Sequence, residues 1–447
     1  MKQRQFSRRK FLQRATGIAA GATALPYFVP AWHGLSAREN TARMAVPLGK
    51  ASNAPPSERI TLGFIGSGKQ SQHLIRSFLN SPGAQALAIC DVDRLKLERG
   101  HKIVADFYTQ KSSQPHNGPF CTVYRDFRDL LARNDIDAVV ISTPDHWHAI
   151  MVVQAVQAGK DIYCEKPLSQ TIAEARAMVN AIRRYGRVFQ TGSMQRSDNR
   201  FRFACELVRN GYIGEIKTVT VGVGGPPEDK PLPAEPVPDY LDWDMWVGPA
   251  PWRPYNRDLS PHISVDVFPN WRYHSDFGGG GMTDWGAHHF DIAQWGLGMD
   301  ETGPMEITPP DGKDYKVLTY KYANGVIMTR DNANGILFTG AEGKVEVNRG
   351  YLKTWPDSLK DQQIRPEQIH LYDSNNHYVD WLDAIRKRTK PICDIETGCR
   401  SVTACHLGNI AYKLKRPLKW DPKREVFVAD DEANRLLSRP YRSPWYL

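Results

Sequence analysis

The sequence predicts an α/β fold in two parts, and three observations lead to this prediction. Between residues 59 and 190, short apolar runs alternate with helical patterns, an order typical of a parallel sheet with crossover helices. A glycine-rich turn directly follows the first apolar run. After Thr191 the periodicity changes to that of half-exposed strands and hairpins, so a second domain follows the first. A chain of 447 residues is long enough for two or three domains.

The first 37 residues have the pattern of an export signal. They carry six cations and no acidic residue, and a weakly apolar run at residues 17–29 follows the basic stretch. That run is too short for a permanent transmembrane helix, so we expect no stable membrane span. The stretch Ser-Arg-Arg-Lys-Phe-Leu at residues 7–12 resembles a twin-arginine signal. It predicts recognition by the twin-arginine export machinery and a periplasmic or otherwise exported protein. Residues 38–57 are predicted to be a linker.

Composition and charge exclude several classes of protein. The hydrophobic fraction of 41% and the charged fraction of 24% are ordinary for a globular chain. The net charge of +9 falls to +3 once the six cations of the leader are set aside, so we predict no nucleic-acid partner. The seven cysteines lack the paired spacing of a zinc site. Cys90 and Cys164 lie in apolar runs and are expected to be buried thiols, while pairing among the others stays open.

The first predicted strand and helix flank the glycine-rich turn. Residues 60–65 are apolar, the turn contains Gly66 and Gly68, and residues 73–79 have helical spacing. Two glycines so placed let the backbone turn tightly and approach a pyrophosphate at the helix N-terminus. Ser71 stands where the usual fingerprint has a third glycine or alanine. The turn therefore predicts a dinucleotide site.

The second predicted strand, at residues 86–91, ends in an acidic residue. Asp91 follows Gly68 by 23 residues, where a carboxylate can accept hydrogen bonds from the ribose of an adenosine. Its charge would repel a 2′-phosphate, so we favour NAD(H) over NADP(H). Lys69 and Arg94 lie close enough in sequence to leave NADP(H) open.

The alternation of strands and helices continues to residue 190. Ligands bind parallel sheets at the carboxyl ends of the strands, where Gly66, Asp91, Thr143 and Glu165 fall. Residues 58–190 are therefore predicted to be the dinucleotide-binding domain. The further predicted strands lie at residues 137–142, 161–164 and 188–190, and the helices at residues 150–158 and 173–185.

Two segments carry residues suited to acid–base chemistry. Lys166 ends a buried strand, and Asp284 and His288 lie four residues apart in a glycine-rich entry into an apparent helix. On one helix face a carboxylate can orient an imidazole and support its charge. With a lysine nearby, such a set moves a proton from a hydroxyl group while a nicotinamide takes the hydride. We therefore predict that Lys166, Asp284 and His288 are catalytic.

Three motifs in order resemble those of one oxidoreductase family. They are Thr-Pro-Asp-His-Trp-His at residues 143–148, Glu-Lys-Pro at residues 165–167, and Asp284 followed four residues later by His288. Over most of residues 58–420 the chain resembles the glucose–fructose oxidoreductase/inositol dehydrogenase/MocA family. The resemblance implies an N-terminal Rossmann domain and a C-terminal α/β domain with an open, mainly antiparallel sheet. It also implies that Lys166 is the catalytic lysine, with Asp284 and His288 as the partner pair.

The same resemblance implies the contacts to the dinucleotide. His146 and His148 form a pair that can also ligate a metal, but no clustered acid or cysteine accompanies them, so we predict no metal site. Lys69 and Lys166 are additional candidates for cofactor binding. The residues that the resemblance assigns are Gly66, Ser67, Gly68, Asp91, Thr143, Pro144, His146, His148 and Glu165.

Residues 191–375 are predicted to form the substrate domain. Period-two alternation at residues 217–222 and an Asn-Gly turn at residues 324–325 indicate a strand and a hairpin. Tryptophans are frequent between residues 243 and 295, where aromatic rings suit sugar faces and core packing alike. The candidate substrate contacts are Arg272, Tyr273 and Asp291.

Residues 376–447 resemble the C-terminal extension of a carbohydrate-associated branch of the family. Helical patterns at residues 378–388 and 400–414 predict a helical extension. The resemblance implies that it packs back on the Rossmann domain or on a neighbouring subunit, so a homo-oligomer stays open.

The leading hypothesis is an exported NAD(P)-dependent oxidoreductase that transfers hydride between the hydroxyl group of a sugar or sugar derivative and a tightly bound nicotinamide. Because free dinucleotide is not expected outside the cytoplasm, the cofactor must be retained and regenerated on the protein. A second sugar substrate would regenerate it. Alternatively, an NAD-using glycosidase would return the hydride to the same molecule after transient oxidation and elimination. A non-catalytic binding or regulatory relative is a third alternative, against which the intact Lys166, Asp284 and His288 argue.

Overall fold

Two sheets, each packed with helices, make up the described part of the chain. The computed structural model describes residues 58–111, 120–331 and 333–447. The predicted signal peptide and linker lie outside these ranges. The first sheet has six strands and the second has nine.

The first sheet is parallel throughout. Its strands are β1 (Ile60–Ile65), β2 (Ala84–Cys90), β3 (Thr122–Tyr124), β4 (Ala138–Ile141), β5 (Asp161–Cys164) and β6 (Phe189–Thr191). Their order across the sheet is β3-β2-β1-β4-β5-β6. The helices are α1 (Lys69–Leu79), α2 (Arg94–Lys111), α3 (Phe127–Leu131), α4 (Asp145–Gln157) and α5 (Ile172–Tyr185).

Burial explains which of these elements the sequence predicts. Strands β4 and β5 are buried at every position, so they are apolar on both faces and easily recognised. Three elements were not predicted. Strand β3 lies at the sheet edge with two of its three residues exposed, and α2 carries many charged residues, so neither has a clear apolar pattern. Helix α3 has only five residues, too few to show helical periodicity.

The second sheet is mixed but mainly antiparallel. Its strands are β7 (Ile216–Gly222), β8 (Glu306–Thr308), β9 (Leu318–Lys321), β10 (Ile327–Asp331), β11 (Ile336–Gly340), β12 (Lys344–Asn348), β13 (Tyr351–Trp355), β14 (Leu418–Asp421) and β15 (Val426–Phe427). They follow the order β13-β12-β11-β7-β10-β9-β8-β14-β15. Among the described pairs of this second sheet, only β7 and β10 are parallel. The predicted fold class is confirmed.

The helices of the second half lie mostly against this sheet. They are α6 (Asn199–Arg209), α7 (Trp243–Val247), α8 (Gly281–Asp284), α9 (Gly286–Leu297), α10 (His377–Lys387), α11 (Ile395–Leu414) and α12 (Asp431–Asn434). The apparent single helix around residues 278–291 is a correction to the sequence prediction. The structure has two helices there, because the chain breaks at Trp285 between α8 and α9.

Helix α11 connects the two sheets. It is buried along most of its length and contacts both α5 and α9. Arg176 of α5 forms ion pairs with Glu396 at 2.7 Å and with Glu425 at 2.6 Å, so charges reinforce this junction. Residues 376–447 also supply β14 and β15 to the second sheet. The two halves are thereby held against each other around the cavity described next.

Two further properties of the described residues are the character of their helices and the state of their cysteines. None of their helices has the length and apolar character needed to cross a bilayer. The cysteines are all buried free thiols there, Cys90 and Cys164 among them.

Candidate active site

A cavity of about 560 Å³ follows the carboxyl edge of the parallel sheet and reaches the loop before α8. Both halves of the chain contribute to its wall. Ser67, His146, His148 and Asp291 are not on it. Twelve residues singled out by the sequence are on it: Gly66, Gly68, Lys69, Asp91, Thr143, Pro144, Glu165, Lys166, Arg272, Tyr273, Asp284 and His288.

The two glycines of the turn have different roles. Gly66 has a φ of +90°, and a Cβ there would lie 2.6 Å from the carbonyl oxygen of Ser142, so the β1–α1 turn requires glycine. A Cβ at Gly68 would meet no atom within 4 Å. Helix α1 begins after Gly68 with no side-chain cap, so its first backbone N–H groups are available to an anion. These features fit a pyrophosphate.

Asp91 lies at the end of β2 and is held by backbone groups. Its Oδ2 accepts from the Ser67 N–H at 2.6 Å and its Oδ1 from the Asp93 N–H at 2.9 Å. Burial raises the pKa of Asp91, although Lys96 and these hydrogen bonds oppose the shift. Ser67 is fully buried, so its side chain does not reach the cavity.

Lys166 and Asp284 meet where the two halves of the chain face each other. Lys166 Nζ lies 2.7 Å from Asp284 Oδ1 and also donates to the Asp284 carbonyl oxygen at 2.9 Å. Arg272 Nε lies 3.6 Å from Asp284 Oδ2. Burial acts to raise the pKa of Asp284, but the charges of Lys166 and Arg272 outweigh it, and the pKa lies below its usual value. Asp284 is therefore a carboxylate shared by two cations.

His288 lies next to this ion pair with its ring free. The residue is 5% exposed, and no described hydrogen bond uses either ring nitrogen; Nδ1 is buried without a partner. Burial, with the charges of Lys166 and Arg349, holds the pKa of His288 well below its usual range. The imidazole is consequently neutral near pH 7 and can accept a proton.

The sequence predicts that Asp284 orients the His288 imidazole, but no hydrogen bond joins the two side chains among the described residues. The described hydrogen bonds of the Asp284 carboxylate go to Lys166, and its other charged neighbour is Arg272. The helix break at Trp285 places Asp284 at the end of α8 and His288 at the start of α9, so four-residue spacing does not stack the two side chains.

The two histidines of the Thr-Pro-Asp-His-Trp-His motif are buried in α4. His146 Nε2 is 3.1 Å from the Trp246 carbonyl oxygen. His148 Nδ1 lies 2.8 Å from the Pro167 carbonyl oxygen and Nε2 lies 3.0 Å from that of Thr143. Burial lowers the pKa of His148 to about 4, so the ring is neutral and donates to one of the two. The structure does not bring either ring to the cavity. His148 instead ties β4 and β5 together beside Lys166.

Asp291 lies in the interior of the second half rather than at the cavity. Its Oδ2 accepts from Arg196 Nε at 2.8 Å and its Oδ1 from Ser401 at 2.7 Å. Arg196 also pairs with Asp300 at 2.7 Å. The side chains of Arg196 and Asp291 are 2% and 0% exposed, so the pair is part of the packed interior.

Several cavity residues were missed by the sequence analysis, and three of them are polar neighbours of Glu165 or Asp284. Asp145, at the start of α4, is buried, and this burial together with the charge of Asp284 raises its pKa well above the usual value. Its place inside the motif at residues 143–148 was the available signal. Gln70 donates to Glu165 at 3.3 Å. Arg349 comes from the turn between β12 and β13, and nothing in its sequence context indicates the cavity.

The acid–base groups and the glycine turn line the same cavity. A neutral imidazole, an ammonium group and a carboxylate converge there, an arrangement that can exchange a proton with a hydroxyl group. No cluster of three or more metal-ligating side chains occurs among the described residues.

Two family models match the chain. The oxidoreductase-family NAD-binding Rossmann fold matches residues 60–193, and the oxidoreductase-family C-terminal alpha/beta domain matches residues 227–447. Both belong to the Gfo/Idh/MocA family, and together they cover most of the chain. The chain belongs to the Gfo/Idh/MocA oxidoreductase family. The family resemblance read from the three motifs is thereby confirmed.

Curated relatives of this Gfo/Idh/MocA chain match only in part. A glycosyl hydrolase family 109 protein of Shewanella sp. (strain W3-18-1) is 30% identical over 214 residues, 47% of this chain and 44% of the relative. A protein of the same name from Shewanella putrefaciens (strain CN-32 / ATCC BAA-453) is 32% identical over 167 residues, 36% of this chain and 34% of the relative. The chain thus spans less than half the length of these relatives in the matches.

Solved structures resemble the fold over most of the chain. Myo-inositol 2-dehydrogenase from Lactobacillus plantarum has a TM-score of 0.53 at 19% identity, covering 81% of this chain and 99% of its own. Aldose-aldose oxidoreductase from Caulobacter crescentus has a TM-score of 0.54 at 18% identity, covering 81% and 99%. The WlbA dehydrogenase from Bordetella pertussis, solved with NADH and UDP-GlcNAcA, has a TM-score of 0.54 at 17% identity, covering 78% and 96%. These similarities support the Gfo/Idh/MocA fold.

Proposed function

We propose that this protein is an NAD(H)-dependent oxidoreductase that acts on a CH–OH group of a sugar or sugar derivative. The observation that carries the proposal is the convergence of Lys166, Asp284 and His288 in one cavity that also contains the glycine turn. Similar proteins named for inositol and aldose oxidoreduction support the substrate class.

The dinucleotide would lie along the carboxyl edge of the first sheet. The uncapped start of α1 and the open space at Gly68 would hold the pyrophosphate, and Asp91 would face the adenosine ribose. The fixed carboxylate of Asp91 favours NAD(H), because a 2′-phosphate would meet its charge. When bound, the nicotinamide supplies the hydride acceptor or donor.

The residues of the chain move the proton. His288 would accept the proton of the substrate hydroxyl group at Nε2, the ring nitrogen that is neither buried nor hydrogen-bonded among the described residues. The ammonium group of Lys166 would donate a hydrogen bond to the same oxygen as negative charge develops there. Asp284 would hold Lys166 in place through their 2.7 Å contact, and so acts as a positioning residue.

A contact between Lys69 and the segment at residues 266–268 supports tight cofactor binding. Lys69, at the start of α1, bonds Asp266 through both its carboxylate and its carbonyl oxygen at 2.8 Å. Its ammonium group also lies 5.1 Å from the ring of Phe268. Lys69, Asp266 and Phe268 all line the cavity, so this contact would slow release of a bound dinucleotide.

The variant Lys166→Met tests the proposal. We expect it to lower turnover about 10²- to 10⁴-fold, because the charge that stabilises the developing alkoxide is lost, while nucleotide stays bound. Turnover is measured by absorbance near 340 nm with a panel of monosaccharides and glycosides, and bound nucleotide by release on heating. The matched control is Lys102→Met, whose side chain is 74% exposed on α2. Unchanged turnover in Lys166→Met would contradict the assigned role.

Redox-neutral glycoside cleavage is the second candidate, favoured by the names of the curated relatives. The sugar is transiently oxidised, a neighbouring C–H is deprotonated, and the aglycone leaves by elimination before water adds and the sugar is reduced again. His288 or Lys166 would accept the proton of the neighbouring C–H and donate a proton to the departing aglycone. Aglycone release without net change in bound nucleotide would identify this activity, whereas a persistent change at 340 nm with a free sugar identifies net oxidoreduction.

We also propose that the protein is exported by the twin-arginine route to the periplasm or beyond. The proposal rests on the sequence at residues 7–12, which lies outside the described residues. A folded, cofactor-loaded protein is the form that this route would carry.

A further inference from the structure

Arg349 brings a positive charge to the cavity from the far edge of the second sheet. It lies in the turn between β12 and β13, two strands at one end of the nine-stranded sheet. Its guanidinium carbon is 4.9 Å from the ring of Trp285, and both side chains line the cavity. Neither catalytic proton transfer nor dinucleotide binding uses Arg349 in the function proposed above.

One hydrogen bond holds the Arg349 side chain at Nε and leaves its two terminal nitrogens without a partner among the described residues. In the amide orientation that satisfies both neighbours, the Gln195 side chain accepts from Arg349 Nε at 3.2 Å and donates to the His288 carbonyl oxygen at 3.1 Å. Gln195 is 2% exposed, so this anchor is buried. The two terminal nitrogens of Arg349 have no hydrogen-bond partner among the described residues. The guanidinium group is therefore held at Nε, and its two terminal nitrogens remain available to a ligand.

Arg349 forms no ion pair among the described residues, although the charges of Asp284 and Glu165 act on it from a distance. Asp284 is shared between Lys166 at 2.7 Å and Arg272 at 3.6 Å. No carboxylate of the described residues lies within 4.0 Å of the Arg349 guanidinium. A planar guanidinium with both terminal nitrogens free matches a carboxylate, sulfate or phosphate in bidentate geometry.

We propose that Arg349 and Trp285 form a subsite for an oxyanion substituent on the sugar substrate. The proposal rests on the proposed oxidoreductase function and names its substrate class: a sugar acid, sulfated sugar or sugar phosphate. The shared chemistry is an oxyanion bound by two parallel N–H groups.

Trp285 links this subsite to the proton-transfer groups. Its side chain is 43% exposed, and its ring lies 6.0 Å from the His288 ring and 4.9 Å from the guanidinium of Arg349. An apolar face of a sugar ring can rest on such an indole. A sugar held there would direct its hydroxyl group to His288 and its anionic substituent to Arg349.

The test compares substrate selectivity in the holoenzyme and its variant Arg349→Gln. Glucuronic acid, glucose 6-sulfate and glucose 6-phosphate are each compared with glucose, by kcat/KM and by calorimetric binding. We expect one anionic sugar to be preferred, and Arg349→Gln to lower that preference about 10- to 100-fold, as loss of a hydrogen-bonded charge pair predicts. Which of the three is preferred distinguishes the carboxylate, sulfate and phosphate sources. Arg349→Lys should keep part of the preference.

Lys353→Gln is the matched control, because it removes one positive charge from the same hairpin but does not line the cavity. The proposal is overturned if the anionic preference is absent, or if Arg349→Gln and Lys353→Gln change it equally. Calorimetry separates this failure from failure of the proposed function. If an anionic sugar binds in a way that depends on Arg349 but no nucleotide is reduced, the subsite is supported and the oxidoreductase function is contradicted. If glucose is oxidised efficiently and Arg349→Gln has no effect, the oxidoreductase function is supported and the subsite is contradicted.

Discussion

At the scale of single residues, burial and charge act in opposite directions on neighbouring groups of the site. Asp284 remains a carboxylate because two cations compensate its burial. Glu165 is 4% exposed and has Lys166 beside it, yet its burial prevails and raises its pKa from 4.5 to about 7. One site thus contains a carboxylate that is ionised at neutral pH and another that titrates there.

This shift predicts a pH dependence of stability. The unfolded chain loses the Glu165 proton near pH 4.5, but the folded protein keeps it to about pH 7. The stabilisation is therefore complete below about pH 4.5 and is lost as the pH rises to about 7, a change of about 3 kcal/mol from this group. Glu165→Gln should remove the dependence, so that the variant gains stability relative to the wild type above pH 7.

Thermal unfolding of nucleotide-free protein at pH 5, 6, 7 and 8 measures this effect. Glu98→Gln is the control, because Glu98 is 60% exposed on α2. Parallel pH profiles for the wild type and Glu165→Gln would show that Glu165 titrates normally.

Sequence patterns found most residues of the site but not their contacts. Lys166, Asp284 and His288 were recognised from their motifs, and the structure brings all three to one cavity. The interior ion pair of Asp291 was not foreseen, because a polar residue on a helix has the same local pattern whether it faces ligand or core. Arg349 was not foreseen either, since its partner Gln195 is 154 residues away in the chain.

At the scale of elements, the two glycines of the β1–α1 turn have different roles: we expect Gly66 to be needed for folding, and Gly68 for nucleotide binding. Gly66→Ala should lower stability, because its Cβ would lie 2.6 Å from the Ser142 carbonyl oxygen at a φ of +90°. The expected loss is about 1–3 kcal/mol. Gly68→Ala should leave the apo protein folded, since no atom lies within 4 Å of the new methyl group, but should weaken nucleotide binding.

Thermal unfolding of the apo proteins and titration with NAD(H) distinguish the two effects. Gly159→Ala is a control for strain alone, because Gly159 has a φ of +77° with no neighbour within 4 Å and lies away from the cavity. Normal nucleotide affinity in Gly68→Ala would argue against a pyrophosphate at the start of α1.

Element prediction succeeded where burial is uniform and failed at boundaries. The hairpin at Asn324-Gly325 connects β9 and β10 as predicted, with Gly325 at a φ of +84°. The break at Trp285 was not predicted, because the apolar periodicity of residues 281–297 continues across it. The parallel pairing of β7 with β10 joins strands more than 100 residues apart, and local patterns carry no information on such pairing.

At the scale of the whole molecule, the proposed export route requires the proposed retention of the cofactor, because free dinucleotide is not expected outside the cytoplasm. Replacing Arg8 and Arg9 by lysine should keep the protein in the cytoplasm, because a receptor reads the arginine pair. The measurement is fractionation of cells that express the full chain, with assay of nucleotide in the exported fraction. Lys2→Arg with Lys10→Arg is the control, since it preserves the basic charge and the pair. Export of the double lysine variant would contradict the proposed route.

The hairpin that carries Arg349 lies at one end of the second sheet, while Lys166 follows β5 of the first sheet and Asp284 and His288 lie on α8 and α9. Mutations in this turn therefore change the wall of the cavity without replacing any of the three reactive residues, although the charge of Arg349 also acts on the pKa of His288. Related enzymes could therefore diverge in substrate preference through changes in a single surface turn, with the three reactive residues retained.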